Sequence, residues 1–155
     1  MIKAEIWLMS TSKRNILSES FIKALHKKMF GDVWVWAGKF RTTEKNIGIK
    51  AYKIQESLKV LLNDVNYWIL NNTFSKKEIA HRLVQIHPFP NGNGRTSRLM
   101  ADLFMQKFGA TKLCWGTPNL TEISEARKHY ILALREADNG DYQKLLNFIT
   151  IVSKK

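Results

Sequence analysis

Apolar side chains return at helical spacing along most of this chain. Leu17, Phe21, Ile22, Leu25 and Met29 recur with a period near 3.6, which predicts a helix over residues 16–30, and Gly31 offers it a stop. Leu58, Leu61, Leu62, Val65, Trp68 and Ile69 repeat the pattern between Tyr52 and Leu70. Ser75-Lys76-Lys77-Glu78 has the form of a capping box and opens a helix that ends before His87, where Pro88 removes a backbone donor. Leu99, Leu103 and Phe104 predict a further helix that stops near Gly109. Asn119 to Glu122 can cap another through Ala137, and Asp138-Asn139-Gly140-Asp141 predicts the turn into a last helix carrying Leu145, Leu146, Phe148 and Ile149. Lys3 to Leu8 also reads as helical. The expected fold class is all-α, a compact bundle of about six to seven helices.

One segment breaks the pattern. From Phe40 to Lys50 the helical period is lost and Gly48 sits between Ile47 and Ile49, which predicts a short β-hairpin flap or an extended one. An extended flap exposes backbone donors and acceptors that can align a second chain, with Ile47 and Ile49 supplying apolar grip. The plainer alternative is that these isoleucines anchor a loop to the core.

The chemistry concentrates between His87 and Arg98. Gly92 and Gly94 can take backbone angles closed to other residues, so successive N–H groups can converge on an anion. The loop feeds into a helix N-terminus, where orphan amides and the macrodipole favour negative charge. Arg95 and Arg98 are three apart in the first turn, so their forked donors share a face. Cations there are locally unfavourable by roughly 0.3–1 kcal/mol each, a cost that a bound anion offsets. His87 falls where helix meets loop, and its ordinary pKa near 6.5 suits it to take a proton from an attacking hydroxyl. Phe89 is expected to point inward and pin the loop, and Asn91 to offer an oxygen to a phosphate-bound magnesium.

These residues, as they stand, resemble the signature of the Fic family, His-x-Phe-x-(Asp/Glu)-Gly-Asn-Gly-Arg-x-x-Arg. His87, Phe89, Gly92, Asn93, Gly94, Arg95 and Arg98 carry the match. The likeness extends to Val33 through Arg41 and Asn46-Ile47-Gly48 upstream, and to Tyr130, Ala133-Leu134 and Ala137 through Asp141 downstream. It covers about residues 16–150, and within the family it is nearest to the small bacterial proteins called mobile mystery protein B. The resemblance implies transfer of AMP from ATP to a Tyr, Thr or Ser hydroxyl of a target protein. His87 would be the general base, Gly92 to Gly94 would wrap the phosphates, and Arg95 and Arg98 would hold the polyphosphate. The segment around Ile47, Gly48 and Ile49 would be the target-docking flap.

Two departures bear on that expectation. Asn91 replaces the usual acidic magnesium ligand, as it does in Doc-type relatives that resemble kinases of a translation factor; the retained Gly-Asn-Gly-Arg run favours nucleotidyl transfer over this alternative. The family's inhibitory helix, Ser/Thr-x-x-x-Glu-Gly/Asn, has no match here, Thr121 to Ala126 having Ala after Glu125. Restraint is therefore expected from a segment missing at this start or from an antitoxin partner.

Composition narrows the remaining choices. The chain has 155 residues, 45% hydrophobic and 11% aromatic, enough for the core of one domain. It has no apolar run of membrane length and opens without a signal-peptide pattern, so a cytoplasmic protein with no membrane partner is expected. Cys114 is the lone cysteine and is expected to be a packing residue. The net charge of +12 would steer ATP, acidic partners or nucleic acid toward the surface, but the lysines are dispersed. A non-catalytic basic module that binds nucleic acid or a partner is the reading from another class, and no groove-reading element supports it. His26, His81 and His129 lie in amphipathic helices without a motif and are expected to be structural, and Trp34 and Trp36 to fill the core.

Overall fold

The computed structural model describes residues 2–9, 15–73, 75–115 and 125–150. Seven α-helices are formed among them: α1 (Ile2–Met9), α2 (Glu19–Phe30), α3 (Ile54–Leu70), α4 (Lys76–Ile86), α5 (Asn93–Lys107), α6 (Glu125–Asp138) and α7 (Gln143–Thr150). The helix α4 is central and packs on α3, α5, α6 and α7, while α2 lies against α1, α3 and α5. Leu25, Ile54, Leu58, Leu61, Leu83, Met100, Phe104 and Leu145 are fully enclosed between them. The cap expected at Asn119 to Glu122 falls outside the described residues.

Local chemistry sets the helix ends. The start expected at residue 16 moves to Glu19 because Asn15 and Ser18 form a turn first: Asn15 Oδ1 accepts from Leu17 N–H at 2.9 Å and Ser18 Oγ–H donates to the Asn15 carbonyl at 2.9 Å. Ser18 then caps α2 by accepting from Phe21 N–H at 3.2 Å. Gly31 ends α2 as expected, but with φ of −63° rather than in the left-handed region. A 3-10 turn over Ala51–Lys53 takes up the first residues of the segment expected from Tyr52, so α3 starts at Ile54. Ser75 Oγ accepts from Glu78 N–H at 3.5 Å at the start of α4. After α5 the chain is tied back by Asp102, whose carboxylate accepts from Leu113 N–H and from the Trp115 indole N–H.

The β-hairpin expected over Phe40–Lys50 does not form: no strand occurs among the described residues, and this segment runs as bends. The physical reason is a side chain. The Arg41 guanidinium lies between the two arms and donates to the Thr43 carbonyl at 3.1 Å and to the Ile49 carbonyl, so acceptors a ladder would use are already taken. Trp34 meets the expected core role in part, packing half-buried against the hydrophobic core, whereas Trp36 does not. They are half-buried and stack on each other at 4.6 Å, while Val33 and Val35 face solvent.

Phe89 is the plug between the loop and the bundle. It is wholly buried, stacks on the His26 ring at 3.7 Å and meets Phe40 at 5.3 Å. Truncation there removes both transfer energy and packing, so Phe89→Ala should lower folding stability by about 3–5 kcal/mol in denaturant titration.

Candidate active site

The turn from α4 to α5 is built from a short list of interactions. His87 ends α4 in the left-handed region, φ 52° and ψ 58°, an uncommon conformation for a residue with a Cβ. Pro88 follows, and the chain re-enters a helix at Gly92, which is also left-handed at φ 80°. A Cβ on Gly92 would come within 2.7 Å of the Phe30 ring, so both conformation and space require glycine. Gly94 differs from expectation, because it is an ordinary helical residue, and a Cβ there would meet only the Arg98 guanidinium, at an ordinary contact distance of 3.4 Å.

Asn93 fixes the loop from inside. Its Oδ1 accepts from Phe89 N–H at 2.8 Å and its Nδ2 donates to the Phe89 carbonyl at 2.7 Å, so one buried amide imitates a backbone pair. His26 fixes the loop from below. Its Nδ1 accepts from Gly38 N–H at 2.9 Å, which leaves Nε2–H to donate to the Asn91 carbonyl at 3.0 Å. Burial, chiefly, and the nearby Arg95 lower the His26 pKa below 6.5, against the raising effect of the Asn91 carbonyl. The role of His26 is structural, as expected: it joins the Gly38 backbone to the loop at Asn91. The residues that complete it are 12 and 65 positions away, so no local pattern exposes it.

No side chain caps the start of α5, and residues of its first turn line a cavity of about 820 Å³. Gly92, Asn93, Gly94, Arg95 and Arg98 line one wall, His87 and Asn91 lie beside them, and Ile47, Gly48 and Ile49 close the flap side. Phe89 lies beneath this lining rather than in it. A second cleft of about 550 Å³, between α2 and α3, contains none of these groups. Arg95 lies over the Phe30 ring at 4.4 Å and Arg98 over the Tyr130 ring at 5.6 Å, so the two guanidiniums are braced by aromatic faces. Burial, then the Arg98 charge, lower the Arg95 pKa. Asn91 Oδ1 already accepts from Gly92 N–H at 2.7 Å.

His87 is half-buried within this wall. Its pKa is lowered from 6.5 by burial first, then by Arg41 and Lys45, with a hydrogen bond to the Val84 carbonyl acting the other way. A neutral imidazole with one N–H given to a backbone carbonyl presents the lone pair of its other nitrogen. A Cβ on Gly48 would collide with the His87 Cβ, which places the flap backbone directly against His87. His81, also expected to be structural, bridges α4 to α6 through Asp138 at 2.8 Å and lines the far end of the cavity with Arg127 and Arg135. His129 is exposed on α6.

Residues 16–105 match the sequence model of the Fic/DOC family. The chain therefore belongs to that family. Among curated relatives it is 29% identical to "Protein adenylyltransferase fic-1" of Caenorhabditis elegans over 136 residues, covering 83% of this chain and 25% of the relative. It is 30% identical to "Protein adenylyltransferase Fic" of Drosophila grimshawi over 143 residues, covering 86% of this chain and 28% of the relative. The chain thus spans about a quarter of the length of these relatives. Among solved structures it is similar to a fragment of C. elegans Fic-1, with a TM-score of 0.73, 27% identity and coverage of 96% of this chain and 45% of that one. The BepC protein from Bartonella tribocorum, solved with bound AMPPNP, shares the fold at a TM-score of 0.67 and 21% identity, over 99% of this chain and 83% of that one. No helix among the described residues is long and apolar enough to cross a membrane.

A pH prediction follows from His26 and His87, whose pKa values are both lowered in the folded state. The folded protein then holds fewer protons than the unfolded chain below about pH 6.5, so the stability these groups contribute is present above that pH and lost as pH falls through their folded values. Denaturant titrations at about pH 7.5 and 5.5 should show the loss, and it should shrink in His26→Gln.

Proposed function

We propose that this chain transfers AMP from ATP to a hydroxyl side chain of a target protein. One observation carries the reading: an imidazole that burial, Arg41 and Lys45 favour in its neutral form shares a cavity with an uncapped helix start and two braced guanidiniums. The adenylyltransferase names of relatives near 30% identity support the choice of ATP and of a protein acceptor.

In the proposed reaction the target's Tyr, Thr or Ser oxygen attacks the α-phosphorus, and His87 takes its proton. A bond forms between that oxygen and the α-phosphorus as the bond from the α-phosphorus to pyrophosphate breaks. Amides of Asn93, Gly94 and Arg95 receive the negative charge that develops, and Arg95 and Arg98 hold the departing pyrophosphate. Ile47, Gly48 and Ile49 form the flap on which the target lies, and Ile47 is exposed for that contact. No group of three or more His, Cys, Asp or Glu residues that could hold a metal exists among the described residues. The donor set suits a magnesium ion that is carried on the phosphates, with the remaining lone pair of Asn91 Oδ1 as its protein ligand. Such an ion would neutralise phosphate charge. Restraint by an antitoxin partner or by an inhibitory segment belongs to the same proposal.

Asn91 favours a second reading, Doc-like phosphoryl transfer, because a neutral amide stands where the resembled motif has an acid. Incubation with ATP labelled at the α or the γ phosphate separates the two. Label from the α position should reach protein and label from the γ position should not; the reverse would establish the kinase reading.

His87→Ala should lower the transfer rate by about two to four powers of ten while leaving folding and affinity for a non-hydrolysable ATP analogue nearly unchanged. Since the imidazole's pKa is below 6.5, the parental rate should be flat from about pH 7 to 8 and fall only at lower pH, as the base becomes protonated. A His87→Ala chain as active as the parent would end the proposal.

A further inference from the structure

Arg41 is the most enclosed charge outside the phosphate wall, with no exposed side-chain surface. Its Nε–H donates to the His87 carbonyl at 2.7 Å, one terminal nitrogen to Thr43 at 3.1 Å, and the other to Ile49 and, at 3.5 Å, to Ile86. Its own backbone N–H donates to the Pro88 carbonyl at 2.9 Å. The nearest carboxylate, Glu44, is 4.0 Å away and half-exposed, so the charge is answered mainly by carbonyl oxygens. Burying a guanidinium this way is costly unless its donors are all used. Here they are spent at one junction: Ile86 and His87 are orphan acceptors at the negative end of α4, and Thr43 and Ile49 are the two arms of the flap.

Few other contacts join the flap to this junction: Phe40 meets Phe89 at 5.3 Å, and within the flap the Glu44 carboxylate accepts from the Ala51 N–H at 3.1 Å. The flap has no strand ladder, and His87 stands in a left-handed conformation that persists only where its surroundings hold it. One side chain ties both to the same point.

We infer that Arg41 is the positioning residue of this site, a single clamp that sets the flap and the backbone of His87 relative to each other, so that target docking and base placement are fixed together. The inference rests on the reading of His87 as the base. It assigns Arg41 no contact with substrate, and the phosphate wall on α5 stands without it.

The test uses Arg41→Lys and Arg41→Gln in the full chain. The rate of label transfer from α-labelled ATP into lysate protein should fall about 10²-fold in both, the scale expected when reacting groups move by about 1 Å. Tryptic cleavage after Lys45 and Lys50 in the flap should become about tenfold faster, and affinity for AMPPNP should stay within about twofold of the parent. Added guanidinium ion at millimolar concentration should restore part of the rate to Arg41→Ala. Parental transfer and parental flap cleavage in Arg41→Lys would overturn the inference, and so would loss of AMPPNP binding in step with activity, the mark of an arginine that only supports the fold. His87→Ala is assayed beside them. If it is active, the reading of the base fails; if it is inactive while Arg41→Lys matches the parent, only the role of Arg41 fails.

Discussion

Everything functional in this chain depends on one constrained turn. Between Ile86 and Asn93 two buried helices are joined by six residues, and the junction must satisfy its backbone groups while leaving the first amides of α5 free. Asn93 solves half of the problem by pairing both polar groups of Phe89 with its own amide. His26 solves the other half by linking the Asn91 carbonyl to Gly38. Phe89, stacked on that histidine, turns these bonds into a rigid floor. The open amides above the floor are therefore a consequence of how the turn is satisfied below it.

The electrostatics follow from the same arrangement. Arg95 and Arg98 crowd a helix end that already carries partial positive charge, and burial lowers the pKa of Arg95. Aromatic faces from Phe30, Trp34 and Tyr130 offset part of this strain. A polyanion would relieve the rest. Burial first, then Arg41 and Lys45, favour the neutral form of His87, the form the proposed general base needs before reaction.

Much of this was legible from residue spacing, for reasons that can be named. Periodicity located α2 through α5 because each must bury one face, and the stretch from His87 to Arg98 stood out because histidine, glycines and arginines at fixed spacing exceed what a turn requires. Other features were hidden because their cause is tertiary. Arg41 enters the sequence reading only as the end of the Val33 to Arg41 stretch, and only the fold shows it enclosed with its donors on the arms of the flap. Gly94 looks like a second hinge but is an ordinary helical residue with room for a Cβ. Trp34 and Trp36 suggested core because they alternate with small apolar residues, whereas they stack half-exposed beside His26, Trp34 alone of the two packing against the core.

The central claim is that a polyphosphate docks on the free amides of α5 beside His87. Backbone amide resonances followed by NMR while AMPPNP and magnesium are added test it directly. The largest shifts should fall at Asn93, Gly94 and Arg95, with a change at the His87 ring. Those amides remaining unmoved while a different surface shifts, or no shift at millimolar nucleotide, would contradict it.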